Sequence, residues 1–441
     1  MNAPLRVGIA GLGNVGSSLV RLVERHGNEL AIRCGRPIAI TGVSARDRRK
    51  NRGIDLGGAT WFDDPVALAR DPGTDVFVEL IGGAGDPAYA SVRTAIAAGK
   101  HVVTGNKAML AAHGMQLAEL AEKAEVSLNF EAAVAGGIPI VKTLREALAG
   151  NTVTRIYGIL NGTCNYILTR MEAEHLSFGE CLSAAQRLGY AEADPSFDIN
   201  GDDTAHKLAL LTAIAFGTEI DARSIYVEGI SSVTRADIEA ADELGYRIKL
   251  LGVASRTDSG IEQRVHPTMV PKSSAIARID GATNAVAVEA DFVGQLVLSG
   301  PGAGGEATAS SVMSDIADIA RGDRVGTFGR PASHLEPYRQ AGIRMHEGGY
   351  YIRLAVYDRP GAFAAIAQRM ADRKISLESI VQRRRAPRSD APGHLVPVEP
   401  QPVILITYET TETAIREALA SIKTDGHVVG EPQMIRIEPF A

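Results

Sequence analysis

The stretch LRVGIAGLGNVG at residues 5–16 decides the fold of the first part of the chain. Its first half is a short apolar run, which predicts a buried β-strand. Gly11, Gly13 and Gly16 follow at once, and apolar residues then recur at helical spacing. A strand, a Gly-x-Gly-x-x-Gly turn and an amphipathic helix together predict a turn that binds the pyrophosphate of a dinucleotide.

Each glycine of this motif has a separate structural role. Gly11 permits the tight turn, Gly13 lets the backbone approach a pyrophosphate, and Gly16 allows the helix to pack closely on the strand. The pyrophosphate then accepts hydrogen bonds from free N–H groups at the helix N-terminus. An ordinary strand–turn–helix is the alternative interpretation.

Further strands are predicted after this motif, with helix-like segments between them. They cover residues 37–44, 75–80, 101–103 and 126–130. Alternating strands and helices predict a parallel sheet with helices on both faces. We therefore expect an α/β chain whose residues 1–140 form a Rossmann-type, doubly wound domain, completed by a helix at about residues 305–325.

The end of the second predicted strand bears on the choice of cofactor. An acidic residue there usually binds the ribose 2′-hydroxyl of NAD, but the sequence has Arg46, Arg48 and Lys50. These basic residues favour a 2′-phosphate and therefore NADP(H), while Asp47 keeps NAD(H) possible. The predicted cofactor contacts are Gly11, Leu12, Gly13, Asn14, Val15, Gly16, Ser44, Arg46, Lys107 and Gly304.

Residues 141–304 show longer helices followed by runs of strand-forming residues. Helices are predicted at 139–149, 163–174, 178–188, 202–216 and 236–244, and strands at 247–254, 263–268, 285–290 and 294–298. This pattern predicts an α+β domain for substrate binding and dimerisation. The glycine-rich residues 300–305 then either return the chain to the cofactor or form a plain loop before a helix at 307–320.

The last part of the chain follows a linker predicted at residues 331–348. In residues 349–441, strands are predicted at 350–357, 375–382, 403–408 and 433–437, and helices at 362–372 and 412–422. This β-α-β-β-α-β order, with D-R-P-G at 358–361, resembles an ACT domain. The resemblance implies binding of an amino acid that regulates an attached enzyme, and a domain used only for dimerisation is the alternative.

The densest group of charged residues lies at residues 185–207. It includes Glu192, Asp198 and Asp203, on or beside an irregular segment bounded by Gly and Pro. Binding residues are common on such loops. We therefore expect carboxylates of this segment to bind a ligand.

A helix predicted at 202–216 ends this segment, with Asp202 as its N-cap. Asp203 and Lys207 are four residues apart and share one face of the helix. The apolar residues around them indicate burial, so we expect Lys207 in an enclosed site. A solvated ion pair is the alternative.

Three further motifs place polar residues after predicted strands. They are VTGNK at 103–107, FEAAVAGGIP at 130–139 and NGTCN at 161–165. Ligands bind to open α/β sheets at the carboxyl ends of strands. A lysine at a helix start, as expected for Lys107, opposes the helix dipole and indicates another use. Each motif alone could be a simple turn, but together they surround the same strand ends.

The pattern A-x3-G-Y-A-E-x-D-P-x2-D-I-x-G-x-D-x3-K, from Ala185 to Lys207, resembles the signature of homoserine dehydrogenases. The resemblance extends over residues 4–325 and includes the three strand-end motifs. It implies reversible NAD(P)H-dependent reduction of L-aspartate 4-semialdehyde to L-homoserine, in threonine, methionine and isoleucine biosynthesis. No aspartokinase-like segment precedes the first strand, so we expect the monofunctional form.

The resemblance also implies roles for individual residues. Lys107 and Lys207 flank the reacting carbonyl as catalytic residues with Asp203, and Lys207 is the favoured proton donor or acceptor. Substrate binding is expected of Glu192, Asp198, Tyr190 and Asp203. A monovalent cation, Na⁺ or K⁺, is expected at Glu131 and the carbonyls of Val134, Gly136 and Ile138.

Composition excludes several other classes of protein. Hydrophobic content of 45% and charged content of 22% are typical of soluble globular proteins. A net charge of −6 argues against a general nucleic-acid partner, and no apolar run approaches the roughly 18 residues of a membrane span. Three scattered cysteines and a strand too near Met1 for a signal peptide favour a cytoplasmic location.

Two other functions are compatible with parts of the sequence. Another Rossmann oxidoreductase acting on an amino-acid carbonyl would explain the cofactor turn but not residues 185–207. A non-catalytic amino-acid sensor would explain the tail but would not need both lysines. We expect feedback inhibition by threonine as an effector, bound through residues 349–437, and a homodimer or homotetramer.

Overall fold

The structure is a computed structural model, and it describes residues 3–341, 347–357, 359–382 and 400–438. Part of the predicted linker, residues 342–346, lies outside the described residues. So do Asp358 of the D-R-P-G turn and residues 383–399 and 439–441 of the predicted tail domain.

The first part of the chain forms a six-stranded parallel sheet in the order β3-β2-β1-β4-β5-β6. Its strands are β1 Leu5–Ala10, β2 Ile38–Ser44, β3 Thr60–Phe62, β4 Val76–Glu79, β5 His101–Thr104 and β6 Leu128–Asn129. Its helices are α1 Asn14–Cys34, α2 Pro65–Arg70, α3 Ala88–Ala97 and α4 Lys107–Lys123. Strand order reverses between β1 and β4, which is where such sheets bind ligands. The predicted parallel α/β sheet is confirmed, with β3 and α2 as additions too short to predict.

The middle part packs helices against a mixed sheet. Its strands are β7 Val153–Ile159, β8 Tyr226–Val227, β9 Tyr246–Thr257, β10 Gly260–Pro271, β11 Thr283–Ala290 and β12 Gly294–Pro301. Its helices are α5 Ile140–Lys142, α6 Gly162–Glu174, α7 Phe178–Arg187, α8 Ser196–Ile199, α9 Asp202–Phe216 and α10 Arg235–Glu243. Helix α11, Gly305–Arg321, then packs on α1 of the first sheet.

The tail adds five strands, one of them only two residues long, and two helices. They are β13 Glu347–Tyr357, α12 Ala362–Asp372, β14 Leu377–Gln382, β15 Pro400–Thr407, the short β16 Thr410–Thr411, α13 Glu412–Thr424 and β17 Val428–Ile437. Apart from β16, this is the β-α-β-β-α-β order of ferredoxin-like units. Strand β17 pairs in parallel with β10, so the middle part and the tail share one eleven-stranded sheet among the described residues.

Three local predictions are wrong. The helix predicted at 139–149 is one α-helical turn followed by a π-helical turn at Thr143–Ala147. The strand predicted at 126–130 is shorter, because Glu125 has a positive φ and residue 130 leads into a 3₁₀ turn. Asp202 is the first residue of α9 and not its N-cap, since Gly201 occupies that position with a φ of +96°.

Residues 331–341 of the predicted linker contact the middle part of the chain. Glu336 bridges to Thr218 and Gln340 bridges to Ile261, both in parallel. The Tyr338 hydroxyl donates a hydrogen bond to the Ile261 carbonyl at 3.0 Å. These described residues of the predicted linker are therefore packed directly against the middle part. No helix among the described residues has both the length and the apolar character needed to cross a membrane.

Candidate active site

Lys107 begins helix α4 at the carboxyl end of β5. The preceding residue, Asn106, caps this helix because its Oδ1 accepts a hydrogen bond from the Met109 N–H at 3.1 Å. An ammonium group at a helix N-terminus opposes the helix dipole, so it requires a counter-charge. The Asp203 carboxylate provides that charge, with its Oδ1 3.1 Å from Lys107 Nζ.

The Asp203 carboxylate lies between two lysines. Its Oδ2 is 2.7 Å from Lys207 Nζ and also accepts a hydrogen bond from Asn161 Nδ2 at 2.8 Å. Burial alone would raise the pKa of this carboxyl, but Lys207 and Lys107, with the hydrogen bonds, hold the pKa well below its usual range. Asp203 is therefore ionised at neutral pH. We call Lys107, Asp203 and Lys207 the Lys–Asp–Lys cluster.

Lys207 is held in place from two sides. Its Nζ donates to the Leu160 carbonyl, just beyond β7, at 2.6 Å and to Asp203 at 2.7 Å. An ammonium group has three donors, so these contacts leave one for a substrate oxygen. The side chain is 11% exposed, which admits a ligand but little water.

Asn161 connects the two acidic residues of the site. Its Oδ1 caps α6 through the Cys164 N–H, and its Nδ2 donates to Asp198 Oδ1 and Asp203 Oδ2, all at 2.8 Å. Burial raises the pKa of Asp198, the Asn161 hydrogen bond opposes this, and the Asp203 charge raises the pKa further. A positive charge bound beside Asp198 would lower the pKa of this carboxyl. The ionised carboxylate would in turn attract the bound charge.

The other two predicted substrate residues are exposed. Tyr190 is 48% exposed, with its ring 5.0 Å from that of Tyr166, and its carbonyl accepts a hydrogen bond from Thr163 Oγ1 at 2.8 Å. The Glu192 side chain is exposed, and its carbonyl accepts a hydrogen bond from Gln186 at 3.1 Å. Within the described residues, no hydrogen bond or ion pair joins either side chain to the Lys–Asp–Lys cluster.

The glycine motif forms a close turn beside an open cavity. Gly11 has a φ of +105°, and a Cβ there would lie 2.3 Å from the Leu80 carbonyl oxygen. A Cβ on Gly16 would lie 2.0 Å from the Gly11 carbonyl oxygen, whereas one on Gly13 would meet no atom within 4 Å. The adjoining cavity, of about 600 Å³, is lined among others by Gly11, Leu12, Gly13, Ser44, Arg46, Lys50, Arg52, Leu80 and Ile81. Its position and open face suit a dinucleotide.

Basic residues form one wall of this cavity. Arg46 and Asp47 are both exposed and line the cavity, and Asp47 Oδ1 accepts a hydrogen bond from the Arg49 N–H at 2.8 Å. Arg52 donates to the Asp47 carbonyl at 2.6 Å and to the Leu12 carbonyl at 3.0 Å. Arg52 therefore connects the basic loop to the glycine turn, a role that the sequence analysis missed.

The glycine-rich turn at 300–305 returns the chain to the start of α1. Gly304 is the N-cap of α11, with a φ of +111°. A Cβ on Gly305 would lie 2.7 Å from Ser18 Oγ and 2.8 Å from the Asn14 carbonyl oxygen. The turn therefore brings the chain back to the glycine motif, in agreement with the first of its two interpretations.

The Glu131 carboxylate is 1% exposed and lies at the start of α5. Its two oxygens accept the Val141 N–H at 2.9 Å and the Lys142 N–H at 2.8 Å, and burial raises the pKa of Glu131. The Glu131 N–H donates to Asp315 Oδ2 at 2.8 Å. Burial, with the nearby Glu131 charge, raises the pKa of Asp315 to about 8.

Two of the three backbone carbonyls expected beside Glu131 already accept a hydrogen bond from another group of the protein. The Gly136 carbonyl accepts Ser311 Oγ at 2.7 Å, and the Ile138 carbonyl accepts the Ile140 N–H at 2.8 Å. Each carbonyl retains a second lone pair. A carboxylate and backbone carbonyls are the hard oxygen donors that alkali and alkaline-earth cations prefer. In the part of the chain that the structure describes, no cluster of three or more His, Cys, Asp or Glu residues could hold a metal ion.

Comparison with known proteins identifies the family. A family model described as "Homoserine dehydrogenase, NAD binding domain" matches residues 11–131, and one described as "Homoserine dehydrogenase" matches residues 139–317. The homoserine dehydrogenase of Pseudomonas aeruginosa is 43% identical over 441 residues, covering 99% of this chain and 99% of the relative. The chain belongs to the homoserine dehydrogenase family. It is accordingly an NAD(P)-dependent oxidoreductase that acts on a small-molecule substrate.

Solved structures of homoserine dehydrogenases show the same fold. A homoserine dehydrogenase from Thiobacillus denitrificans is 42% identical, with a TM-score of 0.91 over 99% of this chain and 98% of that chain. A hyperthermophilic archaeal homoserine dehydrogenase in complex with NADPH is 25% identical, with a TM-score of 0.61 over 74% of this chain and 99% of that chain. The second structure shows a nicotinamide cofactor bound to a member of this family.

Glu79 is a second residue that the sequence analysis missed. Its fully buried carboxylate accepts the Ile81 N–H at 2.7 Å and the Gly82 N–H at 3.1 Å, and also the Thr104 hydroxyl at 2.6 Å. Asn106 Nδ2 donates to the Gly83 carbonyl at 2.7 Å. Glu79 therefore joins the loop after β4 to the start of α4. A buried acid at the carboxyl end of a parallel strand was the available signal.

Proposed function

We propose that the chain catalyses the reversible, NAD(P)H-dependent reduction of L-aspartate 4-semialdehyde to L-homoserine in threonine, methionine and isoleucine biosynthesis. The observation that supports this most directly is the Lys–Asp–Lys cluster, in which Lys107 lies at the carboxyl end of β5, in the same parallel sheet as the strand that precedes the glycine turn. When bound, the nicotinamide supplies the hydride for reduction and accepts it for oxidation. The side chains of the protein would then donate or accept the proton and bind the substrate.

In this proposal Lys207 Nζ donates a proton to the carbonyl oxygen as the C–H bond forms. The alkoxide becomes the hydroxyl of homoserine, and neutral Lys207 recovers its proton from solvent. Asp203 keeps both lysines in place, and Lys107 adds a second positive charge near the developing alkoxide. Asp198 and Asp203 suit the substrate ammonium group, and exposed Tyr190 and Glu192 would contact it only after a local movement of their segment.

The first test of this proposal is absorbance at 340 nm with homoserine and either NADP or NAD. Turnover by the wild type supports the dehydrogenase activity, and its absence from folded protein contradicts it. Lys207→Ala should lower kcat by roughly 10²- to 10⁴-fold, as expected for loss of general acid–base catalysis. Lys272→Ala is the matched control, because it removes a lysine from a solvent-exposed pair with Asp242. A near-normal kcat in Lys207→Ala would exclude Lys207 as the proton donor.

NADP(H) is the proposed preferred cofactor, with Arg46 binding the 2′-phosphate. The exposed Arg46 side chain and the engagement of Asp47 within its own turn support this preference. Arg46→Ala should raise the KM for NADP by roughly tenfold and leave the KM for NAD nearly unchanged. Arg49→Ala is the control, because Arg49 lies in the same loop but does not line the cavity. Equal changes in both KM values would contradict the assignment.

A monovalent cation, Na⁺ or K⁺, is proposed at Glu131 and the carbonyls of Val134, Gly136 and Ile138. The hard oxygen donors support this site, and a bound cation there would offset the buried Glu131 charge. Activity should depend on Na⁺ or K⁺ when choline replaces them at constant ionic strength. Thermal unfolding measured in the same solutions provides a readout other than activity. Identical activity and Tm in all three salts would contradict the site.

Threonine is the proposed effector, and it would bind to the tail as an ACT-like domain. The β-α-β-β-α-β order of the tail supports this proposal. Since β17 pairs with β10, removal of the tail would expose buried surface of the middle part. The full-length chain should therefore be titrated with threonine, with alanine as the control amino acid. Activity that both amino acids leave unchanged would contradict the proposal.

A homodimer or homotetramer in the cytoplasm is also proposed. Two adjacent exposed apolar residues, Phe292 and Val293, at the turn leading into the edge strand β12 support association through this part of the sheet. The three cysteines, which are free and buried, support a reducing compartment. Light scattering on the purified chain and fractionation of the source cells test the two statements, and a monomer or a secreted protein would contradict them.

A further inference from the structure

The residues that carry Asp198 and Asp203 rest on a short segment from elsewhere in the middle part. We call residues 196–203 the substrate segment and residues 226–230 the support segment. The Ile230 N–H donates to the Ile199 carbonyl at 3.0 Å. A Cβ on Gly229 would lie 2.2 Å from the Ile199 carbonyl oxygen, so only glycine fits this contact. The support segment therefore fixes the backbone of the substrate segment at close range.

A second contact fixes the start of α9. Gly201 is the N-cap of this helix, and a Cβ there would lie 3.0 Å from a methyl carbon of Val227 and 3.1 Å from one of Val265. The Glu228 N–H in turn donates to the Val265 carbonyl at 2.8 Å. A displacement of the support segment would consequently move Asp203 in the first turn of α9, whereas Lys207, one turn later, is also held by the Leu160 carbonyl.

The other side of the support segment contacts the tail. The Tyr226 hydroxyl accepts a hydrogen bond from Arg416 Nη2 and donates one to Glu228 Oε2, both at 3.1 Å. The Arg436 guanidinium lies over the Tyr226 ring at 5.0 Å, and its Nη1 is 3.4 Å from Glu228 Oε2. A cation over an aromatic face and a charged hydrogen bond both orient Tyr226.

The two arginines are themselves fixed by Glu412 of the tail. Arg436 Nε and Nη2 donate to its two carboxylate oxygens at 2.8 and 2.7 Å, and Arg436 is 1% exposed. Arg416 Nε donates to the same carboxylate at 2.8 Å. The bidentate geometry leaves the Arg436 guanidinium no alternative orientation without breaking a buried pair. The tail therefore offers Tyr226 and Glu228 a rigid surface.

We propose that Tyr226 and Glu228 are positioning residues for substrate binding, through which the tail holds the substrate segment in place. This inference rests on the proposed function, because it takes Asp198 and Asp203 as the groups that hold the substrate. Neither Tyr226 nor Glu228 touches the Lys–Asp–Lys cluster in the described hydrogen bonds and ion pairs. Their effect is transmitted by the backbone contacts at Gly229, Ile230 and Gly201. A binding site must be held within about 0.5 Å of its working geometry by such supporting residues.

The test is Tyr226→Phe, which keeps the ring beneath Arg436 and removes only the hydroxyl. Loss of its two hydrogen bonds, from Arg416 and to Glu228, should raise the KM for homoserine by roughly 3- to 10-fold. The KM for NADP and kcat should change by less than about twofold, because neither the cofactor cavity nor Lys207 Nζ loses a contact. Glu228→Gln, which retains the shape of the side chain, should change the KM for homoserine in the same direction.

Tyr351→Phe is the matched control. The Tyr351 hydroxyl donates to Asp237 Oδ1 at 2.9 Å, so it also joins the tail to the middle part, but at α10. We expect an unchanged KM for homoserine in this variant. Thermal unfolding of all three variants verifies that each is folded. Combining Tyr226→Phe with Arg416→Gln should give less than the product of the two single effects, because both remove the same hydrogen bond.

Two results would overturn the inference. One is an unchanged KM for homoserine in Tyr226→Phe while the wild type turns over homoserine. The other is an equal rise in Tyr226→Phe and Tyr351→Phe, which would indicate only general loosening of the tail. Absence of turnover by the wild type would instead refute the proposed function itself, so the two failures are distinguishable.

Discussion

The Lys–Asp–Lys cluster and the Arg436–Glu412 pair both place opposite charges in buried surroundings, but they use different cations and differ in access. The side chains of Lys107 and Lys207 are 29% and 11% exposed. Those of Arg436 and Glu412 are 1% and 4% exposed. The first cluster thus lies at a surface that a ligand can reach, and the second is enclosed.

The choice of cation matches this difference. A lysine ammonium can release a proton and turn its three donors towards a new acceptor. An arginine guanidinium stays charged and forms a planar fork that fits one carboxylate in a fixed orientation. Similar electrostatic attraction therefore accompanies proton transfer in the Lys–Asp–Lys cluster and a fixed orientation in the Arg436–Glu412 pair. Exchanging the cations between the two clusters would test this interpretation.

The largest effect is expected from Lys207→Arg. The substitution keeps a positive charge beside Asp203 but replaces the proton donor by a group that does not deprotonate. We expect kcat to fall by roughly 10²-fold or more. The free energy of unfolding should fall less than it would on removal of the charge, because the ion pair with Asp203 is kept. Steady-state kinetics and denaturant unfolding of the same preparation measure the two quantities. A kcat within a few-fold of the wild type would show that charge alone, and not proton transfer, is required of Lys207.

The reverse exchange, Arg436→Lys, should affect stability more than turnover. Lysine cannot form both hydrogen bonds to Glu412, so part of a buried pair would be lost. We expect the free energy of unfolding to fall by about 2 kcal/mol, with kcat at saturating homoserine unchanged. Urea unfolding and initial rates test this. A large loss of kcat without loss of stability would contradict the division between a reactive and a supporting cluster.

The sequence predicts the local parts of these sites better than the contacts between them. Gly11, Gly13 and Gly16 form one short motif: Gly11 has a positive φ, and a Cβ on Gly16 would meet the Gly11 carbonyl. A Cβ on Gly13 would meet no protein atom, so that glycine instead leaves room for a ligand. The helix at 202–216 is likewise correct in its bounds. The contact of Lys107 with Asp203 joins residues far apart in the chain, and the sequence could only place Lys107 after a strand and Asp203 in the first turn of a helix.

Other features could not be predicted because their causes are not local. The pairing of β17 with β10 involves only Thr268 with Arg436 and Met269 with Ile437, and so few residues carry no distinctive pattern. Asp202 is a residue type that is common at N-caps. The N-cap is nevertheless Gly201, which has a positive φ. Glu79 and Arg52 act by bridging loops, which depends on the packing of several strands.

A smaller effect is expected from Glu79→Gln. This substitution tests a buried carboxylate whose oxygens accept hydrogen bonds from N–H and O–H donors rather than pairing with a cation. The amide would hold the loop after β4 and the cap of α4 less firmly, because hydrogen bonds to a charged acceptor are stronger. We expect kcat to fall by roughly 3- to 10-fold with an unchanged KM for homoserine. Glu119→Gln, at an exposed position of the same helix α4, is the control. Equal kinetics in both variants would remove Glu79 from the positioning of Lys107.

The smallest effect concerns the stability that Asp203 confers in acid. Because one proton is involved, the free energy of unfolding should change by at most about 1.4 kcal/mol per pH unit. Its folded-state pKa lies below that of the unfolded chain, since Lys207 and Lys107 outweigh the effect of burial. Such a group stabilises the fold above the unfolded pKa of about 3.9, and this contribution is lost as pH falls towards the folded pKa. The difference in unfolding free energy between the wild type and Asp203→Asn should thus be constant near neutral pH and shrink below about pH 4. Urea titrations at successive pH values measure this difference. If it stayed constant to the lowest pH at which both proteins fold, the two lysines would not be stabilising the ionised form of Asp203.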